Sequence, residues 1–229
     1  MESWEAQISA IAALDEPTRR RLYNYVLHQP EPVSRDEAAT ALELPRSTAA
    51  FHLDRLVDEG LLDMGYQRLN GRSGPGAGRP SKLYRRSRHQ VTVSLPQRRY
   101  ELAGRLLSDA LEHAERTGES PRAVLDQYAY QRGKELAETA GRATGNHNLD
   151  TALRVLEENG FQPRIKGDEV VLDNCPFYTL AQEHTELVCG MNLQLLNGIL
   201  DGLAPTGLTA QLRPAPSQCC VRLERAASG

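Results

Sequence analysis

Residues 45–60 read PRSTAAFHLDRLVDEG and have the pattern of a short helix with a defined beginning and end. Pro45 suits the first turn of a helix, and Gly60 suits its C-terminal cap. Between them, apolar residues recur at helical spacing, at positions 49, 53, 56 and 57. We therefore predict a helix over 46–59 that packs one apolar face inward and begins with polar turns.

The segment before this helix predicts three more helices, over 4–14, 19–28 and 35–42. Asp15 is the expected N-cap of the second, and the capping-box pair Ser34 and Glu37 opens the third. Two short helices joined by a tight turn are typical of a helix-turn-helix, whose second helix enters the DNA major groove. Phe51 could instead be a core residue, and His52 an ordinary hydrogen-bonding residue. The residues that we expect to contact DNA from these helices are Arg35, Arg46, Ser47, Thr48, Phe51, His52 and Arg55.

A hairpin follows the helix-turn-helix. Residues 61–69 and 81–85 predict two strands, whereas 70–80 is rich in Gly, Ser and Pro and predicts an irregular tip. A helix-turn-helix followed by a basic hairpin is a winged helix, whose wing lies on the phosphate backbone or enters the minor groove. The wing residues that we expect to contact DNA are Arg72, Arg79 and Lys82.

The net charge of −3 hides an uneven distribution along the chain. Residues 64–100 contain nine Lys or Arg and no Asp or Glu. Residues 1–63 contain six basic against twelve acidic residues, and residues 101–229 contain twelve against eighteen. A basic segment between acidic flanks attracts a polyanion locally, although a solvated basic linker would have the same composition.

Composition and motifs exclude several other classes of protein. The 229 residues are 40% hydrophobic and 25% charged, which is ordinary for a globular chain. No apolar stretch approaches the ~18 residues of a membrane span, and the first residues, MESWE, lack the layout of a secretory signal. We therefore expect a cytoplasmic protein. Because the chain has no phosphate-binding loop, dinucleotide fingerprint or nucleophile elbow, we expect no enzymatic activity.

The chain divides into three expected parts: a winged helix-turn-helix over 1–90, a linker and helical dimerisation region over 91–145, and a sensor domain over 146–229. Residues 91–95 predict a hinge or a short strand. Helices with apolar stripes are expected over 98–116, 121–140 and 149–159, the second ending at Gly141. These helices could pack in a dimer or in an intramolecular core. A homodimer on a palindromic operator is favoured because one winged helix reads too few base pairs.

The last part predicts a small α+β module that contains every cysteine of the chain. The expected elements are a hairpin around 166–168, a helical stretch that ends at about 185, a helix over 187–203, and strands over 208–213 and 218–223. Alternation along the last strand would turn Cys219 inward and Cys220 outward. Thiolates on separate elements, Cys175, Cys189 and Cys219, lack the CxxC spacing of structural zinc sites and suit an iron–sulfur cluster. Cysteine is also a common small core residue.

Several segments of the first part resemble ArsR-type winged-helix repressors. Residues 14–22 (LDEPTRRRL) are similar to their opening, and residues 47–62 (STAAFHLDRLVDEGLL) to their recognition helix. Residues 78–84 (GRPSKLY) resemble the wing of the SufR-like branch of these bacterial regulators. The resemblance covers about residues 8–90 and implies a winged helix-turn-helix transcriptional regulator, which we expect to be a repressor.

The cysteine-containing part resembles the sensory domain of the same SufR-like branch. The segments that carry this resemblance are NCPF at 174–177, LA at 180–181 with His184, LVCGMN at 187–192 and CCVRL at 219–223. The resemblance implies a [4Fe–4S] cluster, held by three cysteines, that senses iron–sulfur or redox status. It leaves the fourth ligand open between His184, Cys220, Glu183, Glu186 and an exogenous thiol.

Other interpretations of the cysteines stay open. A thiol–disulfide switch could join either Cys219 or Cys220 to Cys175 or Cys189, whereas adjacent cysteines rarely bond to each other for geometric reasons. The cysteines could also bind zinc, and the module could instead sense a small apolar ligand. Metal analysis of the purified protein distinguishes an iron-binding site from a zinc-binding site and from a site that binds no metal.

Overall fold

The computed structural model describes residues 4–67, 80–144, 149–215 and 218–225. Backbone contacts divide the chain into two compact units, Met1–Val93 and Ser94–Gly229. Helices and small antiparallel sheets make up these units, so the expected α+β class is confirmed. No helix in the described ranges has both the length and the apolar character needed to cross a membrane.

The first unit combines helices with a small antiparallel sheet. Its described elements are α1 (Trp4–Ala13), α2 (Pro17–Leu27), β1 (Val33–Ser34), α3 (Arg35–Ala41), α4 (Arg46–Asp58), β2 (Leu62–Gln67) and β3 (Ser81–Arg86). The sheet order is β1-β3-β2, and both pairs are antiparallel. Helices α3 and α4 lie where the helix-turn-helix was predicted, and β2 and β3 lie where the hairpin was predicted. The largest fully buried side chains of this unit are Tyr84, Leu22, Leu53, Leu56 and Leu62.

Local capping determines where two of these helices begin. Ser34 Oγ accepts a hydrogen bond from Glu37 N at 3.2 Å, and Glu37 Oε2 accepts one from Ser34 N at 2.7 Å. The predicted capping box is therefore confirmed. The prediction of Asp15 as the cap of α2 is wrong, because Glu16 accepts the hydrogen bonds of the first turn. Pro17 is the first helical residue, so the capping position falls on the residue directly before it.

The second unit contains a four-stranded antiparallel sheet and longer helices. Its described elements are α5 (Tyr100–Thr117), α6 (Pro121–Thr144), α7 (Leu149–Glu158), β4 (Pro163–Lys166), β5 (Glu169–Leu172), α8 (Tyr178–Glu183), α9 (Thr185–Gly202), β6 (Leu208–Leu212) and β7 (Val221–Arg225). The order of the strands is β4-β5-β7-β6. Helices α5 and α6, for which the sequence left a dimer and an intramolecular core open, contribute buried side chains to one core with α9 and the sheet.

Helices α6 and α9 cross with their backbones in contact. At the crossing, Gly133 of α6 lies against Leu195 O and Ile199 N of α9, and a Cβ atom on Gly198 would overlap the carbonyl of Tyr130. Only glycine, which has no Cβ atom, allows two backbones to approach in this way. The glycine pair therefore fixes α6 directly against α9.

Three local expectations differ from the structure of the second unit and of the segment before it. Helix α6 continues through Gly141 to Thr144, because glycine weakens a helix without necessarily ending it. The short strand considered for residues 91–95 is absent. The last strand begins at Val221 rather than at residue 218, so strand alternation does not orient the cysteine pair that precedes it.

Candidate nucleic-acid interface and cysteine pocket

The outer face of α4 is exposed to solvent, whereas its inner face is buried in the core of the first unit. Ala49, Leu53 and Leu56 are fully buried on the inner face. On the opposite face, Ser47 is exposed and 67% of the surface of Phe51 is accessible to solvent. The structure therefore places Phe51 outside the core, in the position that a base-contacting side chain would occupy.

Two of the expected DNA-contacting arginines on α4 form ion pairs with nearby carboxylates. Arg46 pairs with Asp36 of α3, and Arg55 pairs with Glu59 one turn further on. The hydrogen bond from Arg46 holds the pKa of Asp36 below its usual value. Both guanidinium groups stay at least half exposed, so they remain accessible to a phosphate group.

A polar cluster joins α4 to β3. Lys82 Nζ donates a hydrogen bond to Asp54 Oδ1 at 2.6 Å, and Tyr84 Oη donates one to the same oxygen at 2.7 Å. Burial acts to raise the pKa of Asp54, but the two hydrogen bonds outweigh it and the pKa lies below its usual value. Burial, followed by the hydrogen bond to Asp54, raises the pKa of Tyr84. Arg35, half-buried at the start of α3, adds positive charge near this cluster.

The remaining residues predicted to contact DNA differ in their burial and in whether the structure describes them. His52 is half-buried, and its Nδ1 atom faces Glu16 Oε2 at 3.5 Å, so its ring turns toward α2. Thr48 is half-buried on the first turn of α4. Arg72 and Arg79 lie outside the residues that the structure describes. Two further exposed basic residues, Arg86 and Arg88, were not among the predicted contacts; the signal for them in the sequence is the run of basic residues at the end of the hairpin.

The four cysteines come together in the second unit. Cys175 follows β5, Cys189 lies in α9, and Cys219 and Cys220 precede β7. Cys189 and Cys220 form a disulfide with a Cα–Cα distance of 6.3 Å, which is one of the pairings that the sequence left open. Cys220, expected to point outward, is instead half-buried in this bond, because the strand that would orient it has not yet begun.

Cys175 and Cys219 are free, buried thiols that hydrogen-bond to each other. The hydrogen bond from Cys219 lowers the pKa of Cys175, with a smaller effect in the same direction from the Arg98 guanidinium. The same pair interaction and burial raise the pKa of Cys219. Asn192 is also buried and donates from Nδ2 to Cys219 Sγ at 3.2 Å. The inward orientation expected for Cys219 agrees with its exposure of 1%.

A pocket of about 130 Å³ opens beside these sulfurs. The residues that line it are Cys175, Tyr178, Ala181, Gln182, Thr185, Cys189, Pro214, Ala215, Gln218 and Cys220. His184 is exposed and does not line the pocket. Arg98 holds the loop at the pocket, donating from Nη1 to Asn174 Oδ1 at 2.5 Å and to Cys175 O at 3.3 Å.

The donor set at the pocket is chemically suited to soft metals, because cysteine sulfurs from separate chain segments converge there. The disulfide removes two of these sulfurs from ligation. Within the described ranges, no group of three or more His, Cys, Asp or Glu has an arrangement that could hold a metal ion. The site as it stands is therefore a disulfide beside a thiol pair.

Residues 14–65 match a family model described as a helix-turn-helix domain. The match begins directly after α1 and runs through α4 into β2. No curated protein and no solved structure matches the chain. The helix-turn-helix geometry and the family match together indicate a DNA-binding transcriptional regulator.

Proposed function

We propose that this protein is a homodimeric transcriptional repressor whose affinity for double-stranded operator DNA is set by the state of its cysteine pocket. The proposal of DNA binding rests on the helix-turn-helix match over residues 14–65. This matched segment includes the exposed polar residues at the start of α4. The observation that supports the regulatory half is the convergence of all four cysteines in the second unit.

On DNA, α4 enters the major groove and the hairpin lies along the phosphate backbone. Ser47, Thr48 and Phe51 face the base edges from the first turns of α4. Arg46 and Arg55 exchange their carboxylate partners for phosphate groups, while Arg79, which lies between β2 and β3 in the sequence, adds a further phosphate contact. Two copies of the chain bind the half-sites of a palindromic operator.

For the regulatory site, we propose an iron–sulfur cluster of the [4Fe–4S] type. Cys175, Cys189 and Cys219 would hold it, with Cys220 or His184 as the fourth ligand. The residues fit such a group in their chemistry, because thiolates are the ligands that iron–sulfur clusters use. Since Cys189 and Cys220 are bonded to each other, a thiol reductant such as dithiothreitol has to supply two electrons and two protons to the disulfide before ligation. When bound, the cluster supplies a one-electron redox centre that oxidants can destroy.

Anaerobic reconstitution with iron and sulfide tests the cluster. We expect the reduced protein to gain broad visible absorbance and to retain both iron and acid-labile sulfide after desalting. Cys175→Ser, Cys189→Ser and Cys219→Ser each lower the retained iron, whereas Ala215→Ser, a control at the rim of the pocket, leaves it unchanged. Cys220→Ser and His184→Ala decide between the two candidate fourth ligands. If the protein retains no iron or sulfide under these conditions, the proposal of a cluster is overturned.

A gel-shift titration tests the coupling to DNA. Apo and reconstituted protein are compared on promoter DNA and on random DNA at low and moderate salt concentration. We expect both forms to show the steep salt dependence of phosphate contacts, and only one of them to prefer promoter DNA strongly. Equal preference in both forms overturns the regulatory role of the site and leaves DNA binding intact.

The Cys189–Cys220 bond favours a second candidate, a thiol–disulfide switch. Forming the bond removes two electrons and two protons from the two thiols and transfers them to a two-electron oxidant such as a peroxide. In this case peroxide-treated and dithiothreitol-treated protein differ in DNA affinity without any metal. Cys220→Ser abolishes the difference, and metal analysis of the freshly purified protein finds neither iron nor zinc.

A further inference from the structure

The exposure of the Phe51 side chain is not explained by packing within the first unit. In α4, all of whose residues the structure describes, Phe51 is the one large apolar side chain that is mostly exposed. Its ring makes an edge contact with the His52 ring, with the ring centroids 5.2 Å apart. A single exposed apolar side chain is common on protein surfaces, so its position decides whether it has a role.

The position of Phe51 is the centre of the face that α4 turns away from the core. The buried residues Ala49, Leu53 and Leu56 lie on the other side of the helix. Ser47, one turn before Phe51, is exposed and small, so it does not shield the ring. The ring is therefore the most prominent apolar feature of the surface that faces the major groove in the proposed complex.

The chemistry of the major groove offers a partner for this ring. Base edges there present hydrogen-bond donors and acceptors, and thymine alone adds an apolar group, the C5-methyl. Phenylalanine can neither donate nor accept a hydrogen bond through its side chain. It can therefore discriminate between bases only by apolar contact or by shape.

We propose that Phe51 reads the C5-methyl group of a thymine in each operator half-site. This inference rests on the proposed DNA-binding function and adds to it the chemical feature of the DNA that the helix recognises. The neighbouring arginines fix the position of the helix on the backbone, and Phe51 selects the thymine.

Deoxyuridine provides the test, because it differs from thymidine only by this methyl group. An operator is first selected from random duplex DNA with the full-length wild-type protein. Each thymine of the selected half-site is then replaced in turn by deoxyuridine, and the affinities are compared by fluorescence anisotropy. We expect binding about fourfold weaker at one thymine per half-site, the loss that removal of one buried methyl group produces.

The Phe51→Ala variant completes the test. We expect it to bind the thymine and deoxyuridine operators with equal affinity and, in a second selection, to lose the preference at that position. Phe51 is exposed, so the variant keeps the fold; Ile165→Ala, which truncates an exposed apolar residue of β4, is the control and keeps the wild-type preference.

Three results overturn the inference. If wild-type protein selects an operator but binds its deoxyuridine versions as tightly, or if Phe51→Ala retains the discrimination, Phe51 does not read the methyl group although DNA binding stands. If the wild-type protein selects no sequence at all, the proposed function fails together with the inference.

Discussion

Lys82 Nζ on β3 donates a hydrogen bond to Asp54 Oδ1 on α4 at 2.6 Å. This contact joins the helix expected in the major groove to the strand that leads out of the expected wing. Because the lysine is held by a carboxylate and is only 24% exposed, its side chain positions β3 against α4. The two elements of the first unit that we propose to contact DNA are therefore connected by a specific polar contact.

Removing the acceptor of this contact is expected to destabilise the first unit. Asp54→Ala leaves the hydroxyl of Tyr84, a fully buried residue, without its acceptor, at a cost of about 1–3 kcal/mol in the free energy of unfolding. Asp54→Asn keeps an oxygen acceptor and costs less. Urea unfolding followed by the fluorescence of Trp4, the single tryptophan of the chain, reports on this unit. Equal midpoints for the alanine variant and the wild type would contradict the prediction.

The same contact predicts a pH dependence. The pKa of Asp54 is lower in the folded protein than in the unfolded chain, where an aspartate has a pKa of about 3.9. Its ionised form therefore stabilises the fold above that value, and the stabilisation is lost as the pH falls through the folded pKa. We expect the difference in unfolding free energy between wild type and Asp54→Asn to shrink as the pH is lowered from about 6 to about 3. A difference that stays constant over this range would refute the assignment.

Substitutions on α4 and in the hairpin are expected to affect DNA binding in different ways. Arg79→Ala removes the phosphate contact proposed for this residue, so we expect affinity to fall on every sequence and the salt slope to decrease by about 1. Thr48→Ala, at a residue proposed to face the base edges, changes the preference between sequences. Anisotropy titrations on operator and random DNA over a range of salt concentrations measure both quantities. A uniform loss of affinity from both kinds of substitution would show that no such division exists.

Two glycines of the second unit provide a matched pair. Gly198→Ala places a Cβ atom against the carbonyl of Tyr130, so we expect a destabilisation of about 1–3 kcal/mol. Gly104→Ala in α5 meets open space and gains helix propensity, so we expect a stabilisation of about 0.5–1 kcal/mol. Thermal unfolding followed by circular dichroism compares the two variants. The same sign of change in both would contradict the tight crossing of α6 and α9.

The sequence predicts those features that depend on residues close to each other along the chain. The capping box of Ser34 and Glu37 and the hairpin of β2 and β3 are local, and both are confirmed. The cap of α2 differs from the prediction by one residue, because aspartate is a more usual N-cap than glutamate but Pro17, as the first helical residue, puts the cap at Glu16.

Contacts between distant residues could not be predicted in the same way. The Asp54–Lys82 pair and the Cys189–Cys220 bond join residues 28 and 31 positions apart on different elements. Their formation depends on how helices pack on sheets, which hydrophobic periodicity does not specify. The sequence therefore identified the cysteines as a group, and the arrangement of their sulfurs required the fold.

Helix α9 carries both Cys189 and Gly198, and the backbone of Gly198 lies directly on α6. A close-packed crossing of two backbones leaves no layer of side chains that could absorb a small displacement by changing rotamers. We therefore expect a displacement of α9 that begins at Cys189 to move α6 with it. A change of bonding at one sulfur would in that case reach the 24-residue helix α6 through the crossing.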